Sequence, residues 1–488
     1  MTGPLLLAID IGTQSVRAAL VEPDGTVAAG AGRPHDAAVP QPGWSEQDPA
    51  AWWEGVKATI GETLARLPGA AARIAAIGCC GQMHAPVPVD RDGRCLAPAV
   101  QLWNDKRCAG QVAAFAARAD AAVLAASAAN PPAPAWIGFK AAWLRDRQPA
   151  AYEDAASLLT PKDFINLRLT GVAATDFSEA SGSFLLDWRT RAFDARLADA
   201  LGIDLAKLPP IHRSDAVIGT VSPDAAAATG LRPGTKVVAG GGDFPVSLLG
   251  AGVAGEGVGS DITGTSNLLS LTAATPVLAS GVMNLCGVGG GWIAFTIIDA
   301  GGDSLKWARR AFADEATPYA AISTLADGVP PGAEGLMFLP YLSGERIGGR
   351  ERIRAQFRGL SARHDKAHLF RAVMEGVCLA SRRNFKALRD QAPPLSRLIA
   401  TGGGANSAVW VQIKADMFGL PVAVPESTEA GLIGCAALAG VAAGLFANQD
   451  AAAAALVRFA RIVEPRPEFV ALYDELAKAF EAAWGELG

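Results

Sequence analysis

Asp243 ends the run Val237-Val238-Ala239-Gly240-Gly241-Gly242-Asp243, in which an apolar approach is followed by consecutive glycines and then a carboxylate. Residues without a Cβ let a backbone come close to something else, so the run reads as a strand that delivers Asp243 to a bound group. A carboxylate in that place is a candidate general base. Downstream, Ile262-Thr263-Gly264-Thr265-Ser266 ends a second apolar approach in small residues whose amides and hydroxyls can surround phosphate oxygens. Near the start, Asp10 stands just ahead of Gly12-Thr13-Gln14-Ser15. Phosphoryl transfer asks a protein chiefly to hold donor and acceptor in line and to balance charge, and these residue types suit it.

The elements that must position these residues follow from the apolar pattern. Leu5 to Ile11 is a continuous apolar run, as in a strand buried on both faces, and Val16 to Val21 reads as its hairpin partner. The same arrangement recurs at Ser260 to Leu271, where Gly264-Thr265-Ser266 forms the tip. Two such hairpins half a chain apart suggest an internal duplication, each half contributing one phosphate-binding loop. The 488 residues exceed one ordinary core, so the reading is two large α/β domains, residues 1–244 and 245–488. Asp48-Pro49 caps a helix carrying Trp52 and Trp53, and Ile74 to Cys79 is a buried strand leading to Gly81-Gln82-Met83-His84. Gly301 to Phe312, Lys366 to Leu388, Ala408 to Phe418 and Gly431 to Leu445 read as helices, Leu398 to Ala400 as a strand, and the last forty residues as largely helical.

Polar clusters just past strand ends are where open α/β sheets bind ligands. By that rule the segments Gly81 to His84 and Trp103 to Arg107 are candidates for ligand binding, and Gly402-Gly403-Gly404 is a further turn with close backbone approach. No Gly-x-x-x-x-Gly-Lys-Ser/Thr segment is present. Gly250 to Gly255 matches Gly-x-Gly-x-x-Gly but follows a helix-like stretch, so it is read as a decoy for dinucleotide binding. A net charge of −5 argues against nucleic-acid binding and offers no basic face to a membrane. Seven scattered cysteines without a Cys-x-x-Cys pair fit a reducing, cytoplasmic setting, and the opening residues do not form a signal peptide. A homodimer is left open.

Taken together, Asp10-Ile11-Gly12-Thr13, Trp44-Ser45-Glu46-Gln47-Asp48-Pro49, Gly81-Gln82-Met83-His84, Trp103-Asn104-Asp105, Gly241-Gly242-Asp243, Gly264-Thr265-Ser266, Phe338 to Arg346 and Gly402-Gly403-Gly404-Ala405 resemble the FGGY carbohydrate kinases, most of all their xylulokinase branch. The resemblance spans nearly the whole chain in order. It implies two actin-like, ribonuclease-H-like domains and phosphorylation of a sugar hydroxyl, D-xylulose foremost, by ATP with Mg²⁺. It implies Asp243 as base, Asp10 toward the metal, Gly12, Thr13, Gln14, Gly264, Thr265 and Ser266 on the phosphates, and Gly403, Gly404 and Asn406 on the adenosine. Met83 and His84 match the sugar segment, with Gln82, Asn104, Asp105 and Asp176 as further hydrogen-bonding candidates for the sugar. Two departures stand out: Phe244 follows Asp243 where xylulokinases usually carry Asn, and Glu345-Arg346 continues into Ile347-Gly348 in place of Thr-Pro. Another ketopentose, a polyol or a deoxysugar therefore stays open, as does a non-catalytic actin-like ATP-binding module.

Overall fold

A computed structural model describes residues 3–345, 350 and 352–487. Arg346, Ile347 and Gly348 lie outside the described residues. The chain divides into two compact units: unit 1 comprises 1–254, 284–292 and 429–457, and unit 2 comprises 255–283, 293–428 and 458–488. This differs from a single cut after Phe244. The reason is the helix Ala430–Ala442, which sits late in sequence yet packs in unit 1.

Unit 1 is built on strands β1 (Leu5–Ile11), β2 (Ser15–Val21), β3 (Val27–Pro34), β4 (Ile74–Gly81), β5 (Val217–Thr220) and β6 (Lys236–Val238), in the order β5-β6-β4-β1-β2-β3. β1 and β2 form the antiparallel hairpin, while β4 runs parallel to both β1 and β6. Every residue of β1 is buried because helices cover both faces. Leu5, Leu7, Ile9 and Ile11 join Trp52, Val56 and Ile60 of the helix Pro49–Arg66. The alternate residues Leu6 and Ala8 meet Leu432, Ala436 and Ala437 of the helix Ala430–Ala442. Asp48 caps the first of these helices, its side chain accepting from the Ala50 amide at 2.8 Å.

Unit 2 repeats the plan with β7 (Val258–Thr263), β8 (Asn267–Ala273), β9 (Trp292–Ile298), β10 (Arg397–Thr401), β11 (Val422–Pro425) and β12 (Phe459–Val463), in the order β9-β8-β7-β10-β11-β12. Again the hairpin's first strand runs parallel to a later strand, that strand runs parallel to the next, and an antiparallel strand closes the edge. The shared topology is the duplication that the two Gly-Thr tips announce. Leu269, Leu271, Leu398, Ala400 and Val422 pack against Phe385, Val411 and Ala415 of the helices Lys366–Arg389 and Ala408–Phe418. β12 was not expected, since the final stretch reads as helical; the helix Pro467–Gly485 follows it.

Among the described residues, no helix is long and apolar enough to cross a membrane.

Candidate functional site

Asp10, the sixth residue of β1, stands opposite Arg17 in β2 and Cys80 in β4. It is 3% exposed and ion-paired to Arg17, which also pairs with Glu429. The tip that follows is braced from beneath. Gly12 N donates to Ser15 O at 2.9 Å, and His35 Nε2 to Gly12 O at 2.8 Å. Gln47 Nε2 donates to Thr13 O at 2.8 Å, and its own Oε1 receives Trp52 Nε1 at 2.9 Å and Gln82 Nε2 at 2.6 Å. Gln82 is fully buried, its Nε2 turned to Gln47 while its Oε1 has no hydrogen-bond partner among the described residues. The closure of His35 on Gly12 depends on β3 lying beside β2, which spacing alone does not reveal.

Gly241 and Gly242 extend β4's pairing opposite Cys80 and Gly81, and Asp243 opens the helix Asp243–Gly250. The glycine before the carboxylate is required by contact: a Cβ on Gly242 would stand 2.5 Å from Met83 Sδ. The Asp243 side chain, partly buried, accepts from the Phe244 amide at 2.8 Å. Burial, and then the charge of Asp10, pushes its carboxyl up to about 7. Met83 is buried at 3% exposure and His84 adopts a left-handed φ of 68°. Burial, then Lys140, lowers the His84 imidazole to about 3, so the ring is neutral. Its Nδ1 lies 3.1 Å from Gly182 O, and since a carbonyl only accepts, Nδ1 carries the proton and Nε2 is an acceptor.

Two predicted sugar ligands are held in ion pairs. Asp105 is fully buried, receiving Arg107 Nε at 2.9 Å, Arg107 Nη2 at 2.7 Å and the Ser45 amide at 2.6 Å, while Arg107 stacks 3.6 Å from the Trp44 ring. Asp176 is likewise fully buried, capping the short helix Phe177–Ser181 and paired with Lys162. Asn104 and Gln14 are exposed.

In unit 2 the second tip is set by Gly264 N donating to Ser266 O and Gly302 N donating to Gly264 O, each at 2.9 Å. Beneath it lies a buried network: Lys414, 1% exposed, is ion-paired to Asp261 and donates to Thr263 Oγ1 at 2.7 Å. Asp261 Oδ1 also receives Thr263 Oγ1 at 2.6 Å and Asn267 Nδ2 at 3.1 Å. A pocket of about 540 Å³ opens beside the tip, lined by Thr263, Gly264 and Thr265 together with Gly403, Gly404 and Asn406. The two predicted segments thus share one cavity. Gly404 lies so close to the tip that a Cβ would meet Thr263 Cβ at 2.6 Å. Asp303, Lys306, Tyr319 and Ser323 also line it, and no motif marked them.

Comparison with known proteins matches residues 5–250 to the N-terminal domain of the FGGY family of carbohydrate kinases and residues 260–443 to its C-terminal domain. The chain belongs to the FGGY family of carbohydrate kinases. A xylulose kinase of Bacillus subtilis (strain 168) is 30% identical to this FGGY kinase over 478 residues, covering 96% of this chain and 95% of the relative. An autoinducer-2 kinase of Enterobacter sp. (strain 638) is 31% identical over 505 residues, covering 99% and 94%. The crystal structure of a xylulose kinase from Rhodospirillum rubrum superposes with a TM-score of 0.92 at 31% identity, covering 99% of each chain. The two-domain, actin-like α/β fold and the activity class, an ATP-dependent sugar kinase, follow for this FGGY kinase.

Proposed function

We propose that this kinase transfers the γ-phosphoryl group of ATP to a hydroxyl of a ketopentose, D-xylulose first, with Asp243 as general base. The observation that carries the reading is a carboxylate delivered at a helix start by Gly242, whose backbone lies tight against Met83, with its carboxyl pushed up to about 7 by burial and by Asp10. A base poised near neutrality takes the hydroxyl proton as its oxygen attacks phosphorus and the bond to ADP breaks, a contribution of ~10² to 10⁴ in rate. The His84 Nε2 acceptor, with Met83 beside it, suits recognition of a sugar hydroxyl. The 540 Å³ pocket of unit 2 takes the adenosine along Gly403, Gly404 and Asn406, with Gly264 and Thr265 of its lining at the phosphates, and Ser266 completes that tip. Gly12, Thr13 and Gln14 form a second phosphate-binding tip.

Among the described residues no cluster of three metal-binding side chains occurs. That fits Mg²⁺, which is held by one or two carboxylates plus water and phosphate oxygens, with Asp10 as the protein's carboxylate. The ion supplies charge balance on the phosphates when bound. Arg17, paired to Asp10 and Glu429, holds that carboxylate in place.

Phe244 beside the base, and relatives that include an autoinducer-2 kinase, favour a second reading in which another ketopentose, polyol or deoxysugar is the acceptor. Coupled ADP release with Mg-ATP across D-xylulose, D- and L-ribulose, L-xylulose, erythritol, glycerol and gluconate separates the two, with Asp243→Ala as control. A dominant D-xylulose response is expected. A different preferred compound moves specificity to Phe244 and its surroundings, whereas silence across the panel, or full activity in Asp243→Ala, overturns the proposal.

A further inference from the structure

We infer that Ser178 is a positioning residue for Asp243, and that Asp176 serves as its anchor. The inference rests on the reading of Asp243 as the base. Ser178 is fully buried in the helix Phe177–Ser181. Its Oγ accepts from Gly242 N at 2.9 Å and lies 2.7 Å from Asp176 Oδ2. A hydroxyl has one proton, so with the amide donating inward, that proton goes to the carboxylate.

Asp176 cannot easily turn away. Its Oδ2 also receives the Ser178 amide at 2.9 Å and Ser214 Oγ at 2.8 Å, while Oδ1 faces Lys162 Nζ at 3.1 Å and the Glu179 amide at 3.4 Å. Lys162 is itself fully buried and paired to Asp163. With those donors in place the oxygens of Asp176 are fully engaged as acceptors. A chain of contacts thus runs from Lys162 through Asp176 and Ser178 to Gly242, ending one peptide before the base.

The peptide at Gly242 is held from three directions. The ladder opposite Gly81 fixes its height, Met83 presses where a Cβ would be, and Ser178 takes its N–H. Of these, only the Ser178 bond is a side-chain hydrogen bond to Gly242, and it aims the backbone from which the Asp243 side chain projects. Loss of Oγ frees that peptide to tilt while leaving Asp176 its amide cap on Ser178 and Glu179.

The test is a double-mutant cycle with the sugar that responds best in the panel above, comparing wild type, Ser178→Ala, Asp243→Asn and the double variant. Ser178→Ala is expected to lower kcat about ten-fold or more, since misplacing a reacting group by about 1 Å costs up to ~10². KM for ATP should stay unchanged. In the Asp243→Asn background the same change should cause no further fall, because nothing remains to be aimed. A wild-type kcat in Ser178→Ala, or an equal fall in both backgrounds, overturns the inference and leaves the base assignment intact. Full activity in Asp243→Asn overturns the base assignment and the inference with it. Should Ser178→Ala not fold, Ser178→Cys keeps the volume with a weak acceptor and must show the same kcat-only loss; retained kcat there overturns the inference too.

Discussion

Replacing Lys414 by Met tests whether the buried network under the second tip is what holds that tip. The ammonium is 1% exposed, ion-paired to Asp261, and bonded to Thr263 Oγ1. Met keeps most of the length and leaves Asp261 facing only the Thr263 hydroxyl and the Asn267 amide. Stranding a buried charge in this way costs about 3–5 kcal/mol. At about 2–4 °C per kcal/mol for a unit of this size, that is a Tm loss of about 10 °C in thermal melting at pH 7. A loss near zero would refute the reasoning. Because Thr263 leads into Gly264-Thr265-Ser266, KM for ATP should rise in the same variant.

The remaining expectations concern other parts of the two units. With its carboxyl pushed up to about 7, wild-type kcat/KM should fall on the acid side of neutrality with a single-proton limb, which a pH profile of ADP release reads. The same raised carboxyl opposes folding above its folded value and ceases to do so near pH 4, so Asp243→Asn should melt higher than wild type at pH 8 and equal to it at pH 4. Gly404→Ala forces a Cβ to 2.6 Å from Thr263 and should weaken ATP binding, measured by calorimetry, without altering the sugar's KM. Asp105→Asn removes one of the two carboxylates paired with Arg107, leaving Glu46 at 2.8 Å, and should lower Tm; a change confined to sugar KM would instead favour Asp105 as a substrate ligand.

Most of the architecture could be read from residue pattern because its determinants are local. β1 announces itself as an unbroken apolar run, and the Gly-Thr tips mark both hairpins at matching places. The close approaches at Gly242 and Gly404 were likewise written in residue type, since nothing larger fits. Other features escaped because their cause lies elsewhere in the chain. The Ser45 amide reaches Asp105, and Lys162 and Ser214 reach Asp176, from other segments of the chain. β12 was missed because an edge strand with one neighbour needs no apolar stripe: its burial alternates between half-buried and exposed, and Ile462 is 55% exposed. The return of Ala430–Ala442 to unit 1 has no signal in the early sequence that receives it.

That returning helix bears on how the protein is made. Leu6, Ala8, Ala76 and Val238 are translated well before the side chains packed on them, Leu432 through Ala439, leave the ribosome. Until those emerge, that face of the first sheet lacks most of its cover, and such surfaces engage chaperones or one another. A chain truncated after residue 254 should therefore express as aggregate, and adding residues 429–457 in trans should recover soluble material.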